Sequence, residues 1–211
     1  MVIWHPEPPS TQAHTPETDY LEGDPPMSLG EKFDSILAGA KTGAPWALEA
    51  LYRDLQPRLL RYLKPQAPAV AEDLASETWL GVAVAIPRFE GSEDDFRAFV
   101  FSVARRRLLD HRRKEARRRT VAATPEALED AGLVADSERE AMDSLGTGWA
   151  MERIASLPPD QAEVVLLRVI GDLSVDSVAS ILGKRPGAVR ALQLRALRRL
   201  AKQLSKETVT R

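Results

Sequence analysis

Residues 157–200 read LPPDQAEVVLLRVIGDLSVDSVASILGKRPGAVRALQLRALRRL. Ser174 stands just before an apolar-periodic run, where its hydroxyl can cap a helix, and Asp176 falls near the positive helix end. Val175, Val178, Ala179 and Leu182 recur at helical spacing and make one face. Gly183 supplies a turn, and Pro186 sits at the start of the next helix, where its missing N–H costs nothing. The second helix puts Val189, Leu192, Ala196 and Leu200 on its buried side. At about 100° per residue, Arg190, Ala191, Leu194, Arg195 and Arg198 point away from that side. Gln193 falls near the centre of the buried face, an unusual place for an amide. Two short helices joined by a Gly-containing turn, the second rich in Arg, are the arrangement that sets a helix in a DNA major groove. A plain helical hairpin is the alternative.

Outward from this motif, the sequence divides by charge. Residues 184–206 carry eight bases and no acid. Residues 125–144 carry seven acids against Arg139, a net of −6, and residues 105–119 carry nine bases against Asp110 and Glu115, a net of +7. Residues 1–31 carry six acids and no Lys or Arg. The formal net charge of −2 over 211 residues therefore conceals an acidic, basic, acidic, basic order. Two basic blocks separated by an acidic segment suit a chain that holds phosphates in two places.

The rest of the chain reads as helix, and nothing reads as strand. Phe33, Ile36, Leu37 and Ala40 form a first helix closed by Gly43. Trp46 to Tyr62 form a longer amphipathic stretch, which Pro57 should kink or split. Residues 70–86 form a third helix closed by Pro87. Residues 88–95 are a polar, acidic loop, and a long helix from about Asp95 to Arg118 carries Phe96, Phe99, Val100, Val103 and Leu108 as its apolar stripe. The expected fold is all-α: a helical bundle over 31–119 and a helix-turn-helix domain over 149–207. A disordered acidic, Pro-rich extension precedes them at 1–30, with Met27 a possible natural start, and a flexible acidic linker joins them at 120–148.

Composition removes several chemistries. Cysteine is absent, which excludes disulfides, cysteine-ligated zinc and thiol catalysis. Of the three histidines, His5 and His14 fall in the extension and only His111 in a helix, so neither a metal nor a catalytic residue is expected, and no cofactor. No apolar run approaches the roughly 20 residues of a membrane span, and no secretory signal opens the chain; a cytoplasmic location is expected.

Residues 157–200 resemble region 4 of the bacterial sigma factors, in Leu157, Pro158, Gln161, Val164 to Leu167, Leu173, Ser174, Gly187 and Val189. Residues 46–119 resemble region 2 of the same family. Leu51, Tyr52, Pro57, Leu59, Leu60, Arg61 and Tyr62 match its opening helices. Asp73, Leu74, Glu77, Thr78 and Trp79 match its polymerase-binding helix. Phe96, Arg97, Ala98, Phe99, Phe101, Ala104, Arg105, Asp110, His111 and Arg113 match its promoter helix. The two regions joined by a short linker resemble the layout of the extracytoplasmic-function, or group 4, sigma factors.

The resemblance implies a non-enzymatic transcription initiation factor that binds core RNA polymerase and promoter DNA. Asp73, Ser76, Glu77 and Leu80 would dock on the clamp coiled coil of the polymerase. They lie at i, i+3, i+4 and i+7, one helical face, whose acids suit a basic partner. Phe89, Arg105, Arg106, Arg112 and Arg113 would take the melted −10 element, with Phe96, Phe99 and Phe101 as further stacking candidates, although Phe96 and Phe99 read better as core. Lys184, Arg185, Arg190, Ala191, Leu194 and Arg195 would read the −35 element, Leu194 touching a thymine methyl or the polymerase flap. The acidic linker would thread the basic RNA exit path, and an anti-sigma factor would regulate the protein. Ser76 stands where many members have Gln, Arg106 where many have Asn, and Ala191 where many have Ser. One rival is a stand-alone helix-turn-helix regulator, which leaves Asp73 to Trp79 unexplained. The other is a nucleic-acid enzyme using Glu90, Glu93, Asp94 and Asp95 on a metal, which lacks a His or Lys partner there.

Overall fold

The structure is a computed structural model that describes residues 29–121 and 148–209. The extension with Met27, and the linker over 122–147, lie outside the described residues. Among the described residues every regular element is helical, and the fold is all-α.

Helix α1 (Phe33–Lys41) packs its Phe33, Ile36, Leu37 and Ala40 face inward. Helix α2 (Pro45–Leu63) begins with Pro45 in its first turn and buries Ala47, Leu51, Leu55, Leu59 and Tyr62 along one seam. Pro57 neither splits nor ends it. An internal proline costs about 3 kcal/mol, and here the apolar seam continues through Leu55 and Leu59 on both sides of it. Helix α3 (Ala71–Ala85) runs into a 3-10 turn, Ile86–Arg88, at Pro87.

Helix α4 (Glu93–Val121) starts earlier than the sequence suggests. Glu93, Asp94 and Asp95 belong to its first turn and not to the loop. Ser92 is the cap: Asp95 N–H donates to Ser92 Oγ at 3.3 Å, while Ser92 N–H donates back to Asp95 Oδ2 at 2.9 Å. This reciprocal cap, with three acids at the positive helix end, makes the acidic stretch a helix start. The Ser92 hydroxyl, which donates to Asp95 Oδ2 at 2.7 Å, and the Ser92 N–H hold the Asp95 carboxyl below its ordinary pKa.

The C-terminal unit has helix α5 over 148–155, α6 (Pro159–Val165), α7 (Val175–Leu182) and α8 (Pro186–Val209). Helix α6 continues through a π-helical turn, Leu166–Ile170, where Gly171 N–H reaches back to the Leu166 carbonyl at 3.0 Å. Gly171 has no room for a side chain, because a Cβ there would lie 2.7 Å from the Leu167 carbonyl oxygen.

The two units do not stand apart. Leu59, Tyr62, Leu63, Phe101, Ala104 and Leu108 of the first share one apolar cluster with Leu157, Val164, Leu166, Leu167 and Leu173 of the second. Phe101, a stacking candidate by sequence, is fully buried in that cluster, edge-on to Tyr62 at 5.4 Å. Polar contacts flank it. Arg97 Nη1 donates to Asp172 Oδ2 at 2.9 Å, and Arg105 Nε donates to Glu163 Oε1 at 2.8 Å.

Candidate nucleic-acid interface

The helix-turn-helix is built by its local chemistry. Ser177 N–H donates to Ser174 Oγ at 3.0 Å, so Ser174 caps α7. Gly183 ends it with φ of 63°, a left-handed conformation that glycine takes without a Cβ penalty. Pro186 opens α8. Val189 and Ala196 are fully buried, which fixes the rotation of α8 and leaves Arg185, Arg190, Leu194 and Arg195 exposed. Ala191 is half-buried between them. Lys184 reaches Asp160 Oδ2 at 3.1 Å across the turn. The unusual Gln193 has a partner: Arg168 Nε donates to its Oε1 at 3.4 Å, and Arg168 also bonds the Leu173 carbonyl. The amide therefore ties the recognition helix to the π turn. Leu197, one turn beyond Leu194 on α8, is 46% exposed, and Val169 of the π-helical turn is 58% exposed.

Helix α4 distributes its bases around its circumference. Arg106 is exposed, Arg112 is exposed near Gln66, and Arg113 lies 3.2 Å from Asp110. Arg107, Lys114 and Arg117 turn toward α3 and line a polar cavity of about 190 Å³ with Glu77, Asp110 and His111. Arg105 differs from the others, since it is mostly buried and paired with Glu163. Phe89 is half-buried against Phe96 and Phe99, with ring centroids at 5.2 and 5.5 Å. Phe96 is core, so the aromatic cluster supports the loop before α4, with Phe89 and Phe99 both half-buried beside it.

The four α3 residues expected to meet a partner share one exposed face, as their spacing predicts: Asp73, Ser76, Glu77 and Leu80, the last 69% exposed. The structure lengthens that stripe by one more turn, to Val84 at 84% exposed. Next to it an apolar groove of about 310 Å³ runs between α2 and α3, lined by Leu48, Tyr52, Trp79, Ala83 and Ile86. Trp79 is held there by Nε1–H donation to Gln56 Oε1 at 2.7 Å. Two exposed large apolar residues beside two acids make a surface suited to a protein partner. The described residues contain no group of three or more His, Cys, Asp or Glu placed to hold a metal, and no described helix is long and apolar enough to cross a membrane.

Comparison with known proteins follows this division. Residues 51–118 match the model of Sigma-70 region 2, and residues 147–200 that of Sigma-70 region 4. The ECF RNA polymerase sigma factor SigD of Mycobacterium tuberculosis is 32% identical over 194 residues, 87% of this chain and 90% of SigD. Among solved structures, CnrH in complex with the cytosolic domain of CnrY superposes with a TM-score of 0.56 at 17% identity, over 82% of this chain and 96% of CnrH. The sigma factor RpoE of Bartonella quintana, in complex with the anti-sigma factor NepR, gives 0.54 at 22% identity, over 74% and 98%. These two likenesses concern the fold.

Proposed function

This chain belongs to the extracytoplasmic-function RNA polymerase sigma factors, and we propose from that premise how its surfaces divide the work of promoter-specific initiation. The observation that carries the assignment is the segregation of surfaces. One acidic and apolar face lies on α3, and two cationic helices, α4 and α8, lie elsewhere.

Asp73, Ser76, Glu77 and Leu80 grip the clamp coiled coil of core polymerase, with Val84 extending the contact. Exposed apolar side chains next to charged ones are the usual make-up of a specific protein interface. Arg106, Arg112 and Arg113, with Arg105 once free of Glu163, hold the −10 strand by its phosphates, and Phe89 offers a ring edge to an unstacked base. Arg190 and Arg195 reach base edges of the −35 element, Ala191 permits close approach, and Leu194 meets a thymine methyl or the flap. Lys184 and Arg185 hold phosphates at the turn. The chain contributes binding and strand separation, without an enzymatic step of its own, and works in the cytoplasm. Its relative in the NepR complex suggests an anti-sigma factor as its regulator.

Run-off transcription with bacterial core polymerase on a promoter library tests this. Initiation that depends on the protein, at promoters sharing a −35/−10 pair, is the expected result. Absence of both initiation and core binding overturns it.

A further inference from the structure

The flank of α4 that faces α3 carries cations to which the division of surfaces above gives no work. Arg107, His111 and Lys114 recur at i, i+4 and i+7, one helical stripe, and Arg117 continues it by another turn. With Leu74 and Glu77 of α3 they line the polar cavity of about 190 Å³. We propose that this cavity is a binding site for a compact phosphoanion, a free pyrophosphate or the terminal phosphates of a small nucleotide, held by Arg107, Lys114 and Arg117.

Three observations support it. First, helix packing forms the recess and lays Arg107 into it. The two helices approach closely at Gly81 of α3, where a Cβ would lie 3.1 Å from Val103 Cγ1 and 3.6 Å from Arg107 Nη2. Second, the cations lack acceptors. Arg107 is half-buried, yet among the described residues no carboxylate lies within ion-pair distance of it or of Lys114. Asp110, on the same wall, is engaged by Arg113 at 3.2 Å. A guanidinium that has lost water without gaining a partner is costly, and the clustered oxygens of a phosphoryl group supply the missing charge-assisted bonds. Third, the lining selects a small anion over a continuous strand. Arg106, Arg112 and Arg113, the cations assigned to the −10 strand, lie outside the cavity. Inside it, three Lys or Arg side chains stand against two acids, Glu77 on one wall and Asp110 on the other. The balance favours an anion, while the two carboxylates oppose a phosphate backbone running through. The site does not depend on the polymerase assignment of Glu77.

The test is calorimetric titration of the full chain with inorganic pyrophosphate in magnesium-free buffer. The wild type should bind one equivalent saturably, with Kd below about 1 mM. Arg107→Gln, and Lys114→Gln at an exposed position, should each weaken binding at least about fivefold. Lys202→Gln on α8 removes the same charge outside the cavity and should leave the affinity unchanged. Pyrophosphate should also raise the Tm of the wild type and of Lys202→Gln but not that of Arg107→Gln, which tells loss of the site from loss of the fold. Absence of saturable heat in the wild type, or equal weakening by all three substitutions, overturns the proposal. So does a result in which Arg107→Gln and Lys114→Gln keep their pyrophosphate affinity and weaken only a single-stranded oligonucleotide, which gives the surface to the DNA strand. Failure of run-off transcription strikes the division of surfaces proposed above and leaves this titration untouched, so the two failures are separable.

Discussion

Glu93 and Arg97 face each other one turn apart at the head of α4, 3.2 Å between Oε1 and Nη2, and the same Glu93 carboxylate accepts the N–H groups of Leu29 at 3.0 Å and Gly30 at 2.9 Å. One side chain thus anchors the backbone ahead of α1 and orients the guanidinium that meets Asp172. Glu93→Ala strips two backbone donors and a largely buried arginine of their acceptor. It should lower unfolding free energy by about 2 kcal/mol, with Glu93→Gln recovering part of that, as read by chemical denaturation.

Asp54 gives a pH signature. Its Oδ1 is buried with no hydrogen-bond donor among the described residues, and burial raises its pKa above 3.8 despite the opposing pull of Arg58. A carboxyl raised on folding contributes stability that is complete below its unfolded pKa and is lost as pH rises through its folded pKa. At neutral pH the ionised group opposes folding. Asp54→Asn should therefore raise Tm by about 1–2 °C at pH 7 after allowance for partial exposure. The difference from wild type should vanish on acidification below the unfolded carboxylate range. A gain of equal size at low pH would contradict burial as the cause.

On α8 the two kinds of DNA contact separate in titrations. Arg190→Ala should cost about 1–3 kcal/mol on the preferred −35 sequence and flatten the preference at one base pair. Lys184→Ala should weaken all sequences alike and reduce the salt slope by about 1. Fluorescence anisotropy of holoenzyme on matched and mutated −35 duplexes distinguishes them.

Leu80→Arg places a cation in the apolar part of the α3 face, one turn from Glu77. Because Leu80 is 69% exposed, thermal stability should stay within about 0.5 kcal/mol of wild type. Affinity for core polymerase should fall at least about tenfold, or 1.4 kcal/mol. Loss of stability together with affinity would instead mark Leu80 as structural.

What the sequence disclosed, and what it hid, follows the range of each interaction. Ser174, Gly183 and Pro186 act on their own neighbours, so cap, turn and helix start were legible as residues. The α3 stripe was legible because it is one helical period. The start of α4 is hidden because three consecutive acids resemble a solvated loop, and only the reciprocal cap between Ser92 and Asp95 makes them a helix start. Pro57 does not split α2, because its cost is local whereas the apolar seam on both sides of it is continuous. The burial of Phe101 and the pairing of Arg105 with Glu163 stay hidden in the sequence because Glu163 and the apolar residues of the second unit come from another part of the chain. No periodicity reports a contact made across more than fifty residues. Gln193 announced itself as an anomaly, and Arg168 resolves it.

Helix α4 runs unbroken from Glu93 to Val121, with Val100, Ala104 and Leu108 buried and positions 112–118 exposed. The cationic tip is therefore geared to the core like a key bit to its shaft. Adding one residue between Leu108 and Arg112 would leave every buried side chain in place. It would also advance the tip by 1.5 Å and turn it by about 100°. Such a chain would keep its full complement of arginines and present them to the wrong quarter. Phase along one rod, more than the count of positive charges, sets where this helix presents its arginines.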